Sequence, residues 1–163
     1  MKYLLNTVEL EPADEKIIFQ IIVEWFVSHN AIFEAILESG FYASSQLQNL
    51  GHYCHIKEID KIAINFPYEK GLLAANGKLT KTVVNWLLNT PVPASVIAGE
   101  LSPVMKLEIT LHNQTSYLVQ DYGRTSILDL TKKEANELCL AFVRKGADFA
   151  NFVPWDDLDS TSG

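Results

Sequence analysis

His52-Tyr53-Cys54-His55 is the densest run of reactive side chains in the sequence, holding two of its four histidines and one of its two cysteines. Cys54 could act as a thiolate nucleophile, or His52, Cys54 and His55 together could bind zinc, for which imidazole and thiolate are both good ligands. The spacing argues against a metal. Structural zinc sites pair ligands two to four residues apart and repeat the pair downstream. No second pair occurs here, and His29 and His112 stand far away in sequence. The competing expectation is a turn in which Tyr53 and Cys54 are packed and both histidines are solvated, with an ordinary thiol and no metal or cofactor.

Two further groups could contact a ligand. Asp121-Tyr122-Gly123-Arg124 sets an acid, an aromatic ring and a guanidinium between two strand-like segments. Tyr122 and Arg124 are types that binding surfaces favour, although Gly123 and Asp121 are equally ordinary turn residues. Trp155-Asp156-Asp157 comes after Pro154 and the aromatic residues Phe149 and Phe152. It is either a tail folded back on the domain or an acidic, aromatic segment that docks on a basic partner. Cys139 falls on the apolar side of the last helical pattern, where a cysteine is expected to be a small buried hydrophobe. The glycine-rich nucleotide fingerprints, the G-x-S-x-G elbow and the H-E-x-x-H zinc motif are all absent from the sequence.

Charge narrows the partner classes. Twenty acidic residues against thirteen basic ones leave a formal charge of −7. The acids concentrate at Glu9, Glu11, Asp14, Glu15, Glu24, Glu34 and Glu38, where Lys16 is the sole base, and again after Lys145. Phosphate-backbone binding requires clustered lysine and arginine, so nucleic acid is disfavoured and a basic protein is the partner that the charge favours. Residues 70–99 hold no acid, and this nearly neutral middle could instead cover a like surface on a second copy.

Those residues must be positioned by an ordinary globular chain. At 163 residues, 48% hydrophobic and 20% charged, it can bury roughly 68–70% of its unfolded surface around one core, so a single domain over 1–163 is expected. Two widely spaced cysteines and no signal-peptide pattern at the N-terminus point to a cytoplasmic protein. The apolar stretch Ile17 to Leu37 is interrupted by Gln20, Glu24, Ser28, His29, Asn30 and Glu34. It therefore reads as a core helix, and no membrane is implied.

Periodicity places the elements. An imperfect alternation over 2–10 suggests an opening strand. Pro12, Asp14 and Glu15 suit the start of a helix, and Lys16, Gln20, Glu24 and Ser28 recur every four residues as its narrow polar stripe. This helix is expected to weaken around Ser28-His29-Asn30 and then to run on to Glu38, with Gly40 as its stop. Its acids would then form one negative region with Glu11, Asp14 and Glu15. Ser44 to Leu50 reads as a short helix closed by Gly51, Lys61 to Phe66 as a strand, Asn76-Gly77 as a turn, and Thr80 as the cap of a helix through Leu88 ended by Pro91 and Pro93. Residues 90–103 read as a loop. Met105, Leu107, Ile109 and Leu111 alternate with polar residues, as a half-buried strand does. Strands over Ser116 to Asp121 and Thr125 to Leu130 come next. Thr131-Lys132-Lys133-Glu134 is a capping box opening a last helix to Lys145, with Ala135, Leu138, Cys139 and Phe142 as its buried face.

The fold expected is α+β, a small antiparallel sheet made mainly of the C-terminal three-strand meander and packed against the long N-terminal helix and the C-terminal helix. The function expected is that of a small acidic interaction protein, an immunity-type inhibitor or regulatory subunit, using Glu11, Asp14, Glu15, Tyr122, Arg124 and Trp155. The alternatives are a small enzyme or ligand-binding domain built on His52, Cys54 and His55, and a homo-oligomeric scaffold.

Overall fold

The computed structural model describes residues 1–6, 11–59, 71–90, 104–120, 125–147 and 151–154. The expected strand at Lys61 to Phe66, the loop beyond Thr90, the turn at Asp121 to Arg124, and Trp155 lie outside them.

Helix α1, Pro12–Ser28, begins with Pro at its first positions and Asp14 and Glu15 in its first turn. The missing proline N–H costs nothing there, and the acids face the positive end of the helix dipole. Lys16 and Gln20 are exposed and Glu24 half-buried, while Ile18, Phe19, Ile22, Val23 and Phe26 are buried.

The helix does not continue to Glu38. Asn30 takes a left-handed conformation with φ of 56°. Its N–H donates to the carbonyl of Val27 at 3.2 Å, and that of Ala31 to Phe26 at 3.3 Å. This pair of bonds is a Schellman stop, in which asparagine tolerates the left-handed site usually given to glycine. Beyond the stop the chain enters strand β2, Ile32–Glu38, in which Phe33, Ala35 and Leu37 point to one side. A single 3-10 turn, Ser39–Phe41, leads to α2, Ser44–Gly51.

Asn76-Gly77 is also not a turn. Both residues pair within β4, Leu72–Lys78, against Glu34 and Phe33 of β2. A Cβ at position 77 would meet the Cβ of Cys54 at 3.4 Å, at the near edge of ordinary van der Waals contact. The strand neighbouring β4 is β3, His55–Ile59. Helix α3, Lys81–Asn89, is capped by Thr80, whose Oγ1 accepts the N–H of Val83 at 3.3 Å.

Strands β5, Lys106–Leu111, and β6, Gln114–Gln120, are joined by His112 and Asn113, both at positive φ, as a two-residue hairpin turn requires. With β7, Thr125–Asp129, β1, Lys2–Asn6, and β8, Asn151–Pro154, the described strands form one antiparallel eight-stranded sheet in the order β3-β4-β2-β5-β6-β7-β1-β8. The chain is α+β, and its sheet is much larger than a C-terminal meander. The opening strand expected near the N-terminus is β1, whereas β2 and β4 escape a reading that assigns their residues to helix and turn.

Helix α4, Lys132–Arg144, ends with the same device as α1: Gly146 has φ of 72°, its N–H donates to Val143, and that of Ala147 donates to Phe142. One buried cluster joins Phe19, Ile22 and Phe26 of α1, Val83 and Leu87 of α3, and Leu138 and Phe142 of α4 to Phe33, Leu37, Leu107, Ile109, Tyr117 and Leu128 of the sheet. Tyr117 is fully buried there, and its hydroxyl oxygen accepts the Ser126 hydroxyl at 3.0 Å. A smaller cluster of Ile36, Leu72 and Met105 occupies the other side of the sheet. Cys139 is exposed rather than buried. The apolar stripe of α4 that meets the core is narrower than its sequence suggests, and Leu140 and Val143 are exposed beside Cys139.

Candidate functional site

The His52, Cys54 and His55 side chains are close in sequence and separated by their elements. His52 is the exposed C-terminal cap of α2. Cys54 is half-buried against the main core, and its thiol donates to the carbonyl of Leu50 at 3.4 Å. His55 begins β3 opposite Asn76, on the sheet side away from Ile56 and the core, because successive residues of a strand face opposite ways. Burial pushes the Cys54 thiol above its ordinary pKa, the direction that suppresses thiolate. Among the described residues no three His, Cys, Asp or Glu side chains are grouped to hold a metal ion.

The acids also separate. Glu24 accepts hydrogen bonds from Lys145 and Gln20. Burial opposes its charge, but these bonds outweigh it and hold the carboxyl below its ordinary pKa. Glu34 lies on β2 opposite Glu108, whose own charge is met by Lys106 at 2.7 Å. Glu38 is buried. The expected continuous acidic region of α1 therefore does not form, since two of its members belong to a strand. Glu11, Asp14 and Glu15 remain together at the helix entrance, and partial burial raises the Glu15 pKa. Tyr122, Arg124 and Trp155 lie outside the described residues.

A groove of about 350 Å³ between α2 and α3 is a feature that sequence reasoning misses. One wall carries Gln46, Asn49 and Tyr53, the other Thr82, Asn85 and Asn89. Thr82, Asn85 and Asn89 follow the spacing i, i+3, i+7, which aligns side chains along one face of α3, and Gln46 and Asn49 share a face of α2, with Tyr53 in the turn beyond its end. That pattern in polar residues is the available signal, but it says nothing about which two helices meet. The helices are tied at the groove floor by Trp86, whose indole N–H donates to the carbonyl of Gln46 at 3.1 Å. Tyr42 packs beside it, with ring centroids 5.8 Å apart.

Among the described residues the lining contains no ionisable acid or base apart from the Tyr53 phenol. Gln46 is held at the rim by the Ala43 N–H, which donates to its Oε1 at 2.8 Å. The side-chain amides of Asn49, Asn85 and Asn89 make no hydrogen bond among the described residues and face solvent. Tyr53 is 47% exposed. Such a groove can exchange neutral hydrogen bonds and offer an aromatic surface.

A second hollow of about 360 Å³ lies between α1 and α3 beside Glu24 and Lys81. The sequence matches no protein-family model, and no curated protein or solved structure is significantly similar to it. No described helix is long and apolar enough to cross a membrane.

Proposed function

We propose that the protein is a non-catalytic interaction protein, an immunity-type inhibitor or regulatory subunit of the cytoplasm, that meets a basic protein partner. The observation that carries this reading is the pairing of its carboxylates. Glu24, Glu108, Asp129, Glu134 and Glu137 each have a cationic or hydrogen-bonding neighbour. Glu11, Asp14 and Glu15 share one helical turn and have no ion pair among the described residues. Three charges on one turn without an ion pair among the described residues raise the encounter rate with a cationic surface, and salt screens that attraction over about 8–10 Å. The half-buried, hydrogen-bonded Cys54 thiol and the divergent histidines speak against the enzyme alternative.

The test is affinity capture from the native lysate at low and at moderate salt, with the wild-type protein and a Glu11→Lys, Asp14→Lys, Glu15→Lys variant. A basic protein should be retained by the wild type alone, with an association rate that falls as salt rises. An acidic partner, or a rate indifferent to both salt and charge reversal, refutes the reading.

A further inference from the structure

We infer that the groove between α2 and α3 binds an extended, uncharged segment of a partner protein through that segment's backbone. This goes beyond the acidic entrance of α1, since it concerns a different surface and neutral chemistry.

The repeat of the α3 wall matches that of an extended chain. Asn85 and Asn89 stand one helical turn apart, a rise of about 6 Å along α3. In an extended chain, backbone groups on the same edge repeat every second residue, about 6.6–6.8 Å. Two amides at the helical interval can therefore address two successive peptide groups on one edge of a strand-like segment. Each asparagine amide supplies an acceptor and two donors, the complement of a peptide N–H and C=O. Asn49 stands on the facing wall, where it can meet the opposite edge.

The lining also selects against other occupants. A phosphate or a charged side chain would meet no lysine, arginine, aspartate or glutamate among the described residues of the groove walls and would lose hydration without a counter-charge from them. A peptide backbone is neutral, and its donors and acceptors match the free amides. From Thr82 to Asn89 the α3 wall spans about 10 Å, the length of about three extended residues. The exposed ring of Tyr53 then lies beside the bound segment and can cover one of its apolar side chains. The Trp86 bond to Gln46 holds the two walls together before binding, which reduces the ordering cost of association.

The experiment selects ligands for the full-length protein from a displayed library of random heptapeptides and measures the best binder by fluorescence polarisation. Its partners are the wild type, an Asn85→Ala, Asn89→Ala variant whose fold is checked by circular dichroism, and the Glu11, Asp14 and Glu15 charge-reversal variant. The selected peptide is also made with N-methyl groups at alternate amides. We expect uncharged peptides whose affinity changes little with salt and is unaffected by charge reversal. Affinity should fall about tenfold or more in the double asparagine variant. A comparable loss is expected from N-methylation in one alternating register but not in the other.

Failure to select any peptide overturns the inference, as does binding unchanged by the asparagine substitutions. Selection of basic peptides lost on charge reversal leaves the acidic entrance as the interface and removes this one. Saturable binding of maltotriose without peptide binding would make the groove a sugar site and equally overturns it.

Discussion

Replacing Thr131 with alanine should lower stability by about 1 kcal/mol, and the acid dependence of that loss tests its cause. The Thr131 hydroxyl accepts the Glu134 N–H at 3.3 Å and donates to Glu134 Oε2 at 2.7 Å, while the same carboxylate accepts the Thr131 N–H at 2.8 Å. Alanine removes the two hydroxyl bonds and leaves the third. Both residues are near water, so the net cost is that of a lost helix cap, about 1 kcal/mol within a range of 0.5–2. For a chain of this size that is about 2–4 °C in melting temperature.

The Thr131 hydrogen bond is the main cause that holds the Glu134 pKa below its ordinary 4.5. A depressed folded-state pKa contributes stability that is fully present above the unfolded value and lost as pH falls through the folded one. Acidification below 4.5 should therefore cost the wild type more than Thr131→Ala, and the gap between them should narrow. Glu134→Gln retains an accepting oxygen but does not ionise, so in its background the cost of Thr131→Ala should not narrow in acid. Thermal melts by circular dichroism from pH 7 down to pH 3 measure the wild type, the two single variants and the double variant. An unchanged midpoint at pH 7, or a gap that widens in acid, would refute the capping argument.

Asn30→Gly should leave stability within a few tenths of a kcal/mol, whereas Asn30→Val should cost about 1–2 kcal/mol, because a β-branched residue resists the left-handed conformation that ends α1; urea melts compare them, and a harmless valine would exclude the Schellman stop. Alkylation with iodoacetamide should modify the exposed Cys139 before Cys54, which is half-buried with a raised pKa. Peptide mapping reads the order, and rapid labelling of Cys54 below pH 7 would restore the enzyme alternative.

Local interactions were legible in the sequence where partners lie a few residues apart. The caps at Thr80 and Thr131, the stop at Gly146 and the four-residue stripe of α1 each involve one or two turns of chain. Their hydrogen bonds join residues close in sequence, so residue type and spacing signal them once the helix is packed. The alternation in β5 was readable for the same reason, since one buried face imposes period two. Asn30 carried a local signal as well, but an asparagine within a long apolar run reads equally as a polar interruption of a helix.

Tertiary structure decided what depends on distant partners. Ile32–Glu38 is a strand because β4 and β5 pair with it on both sides, and seven residues offer too short a window to separate that from helix. Gly77 belongs to a strand because it pairs with Phe33 of β2, and Cys139 faces water because the core ends at Leu138 and Phe142. Glu34 and Glu38 were separated from Glu24 by the same change from helix to strand. The groove depends on α2 meeting α3 through Trp86 and Gln46, forty residues apart. Each helix shows its polar stripe alone, but only packing brings the two stripes face to face, because burial of apolar surface has no direction along the chain and selects neighbours by the fit of the whole core.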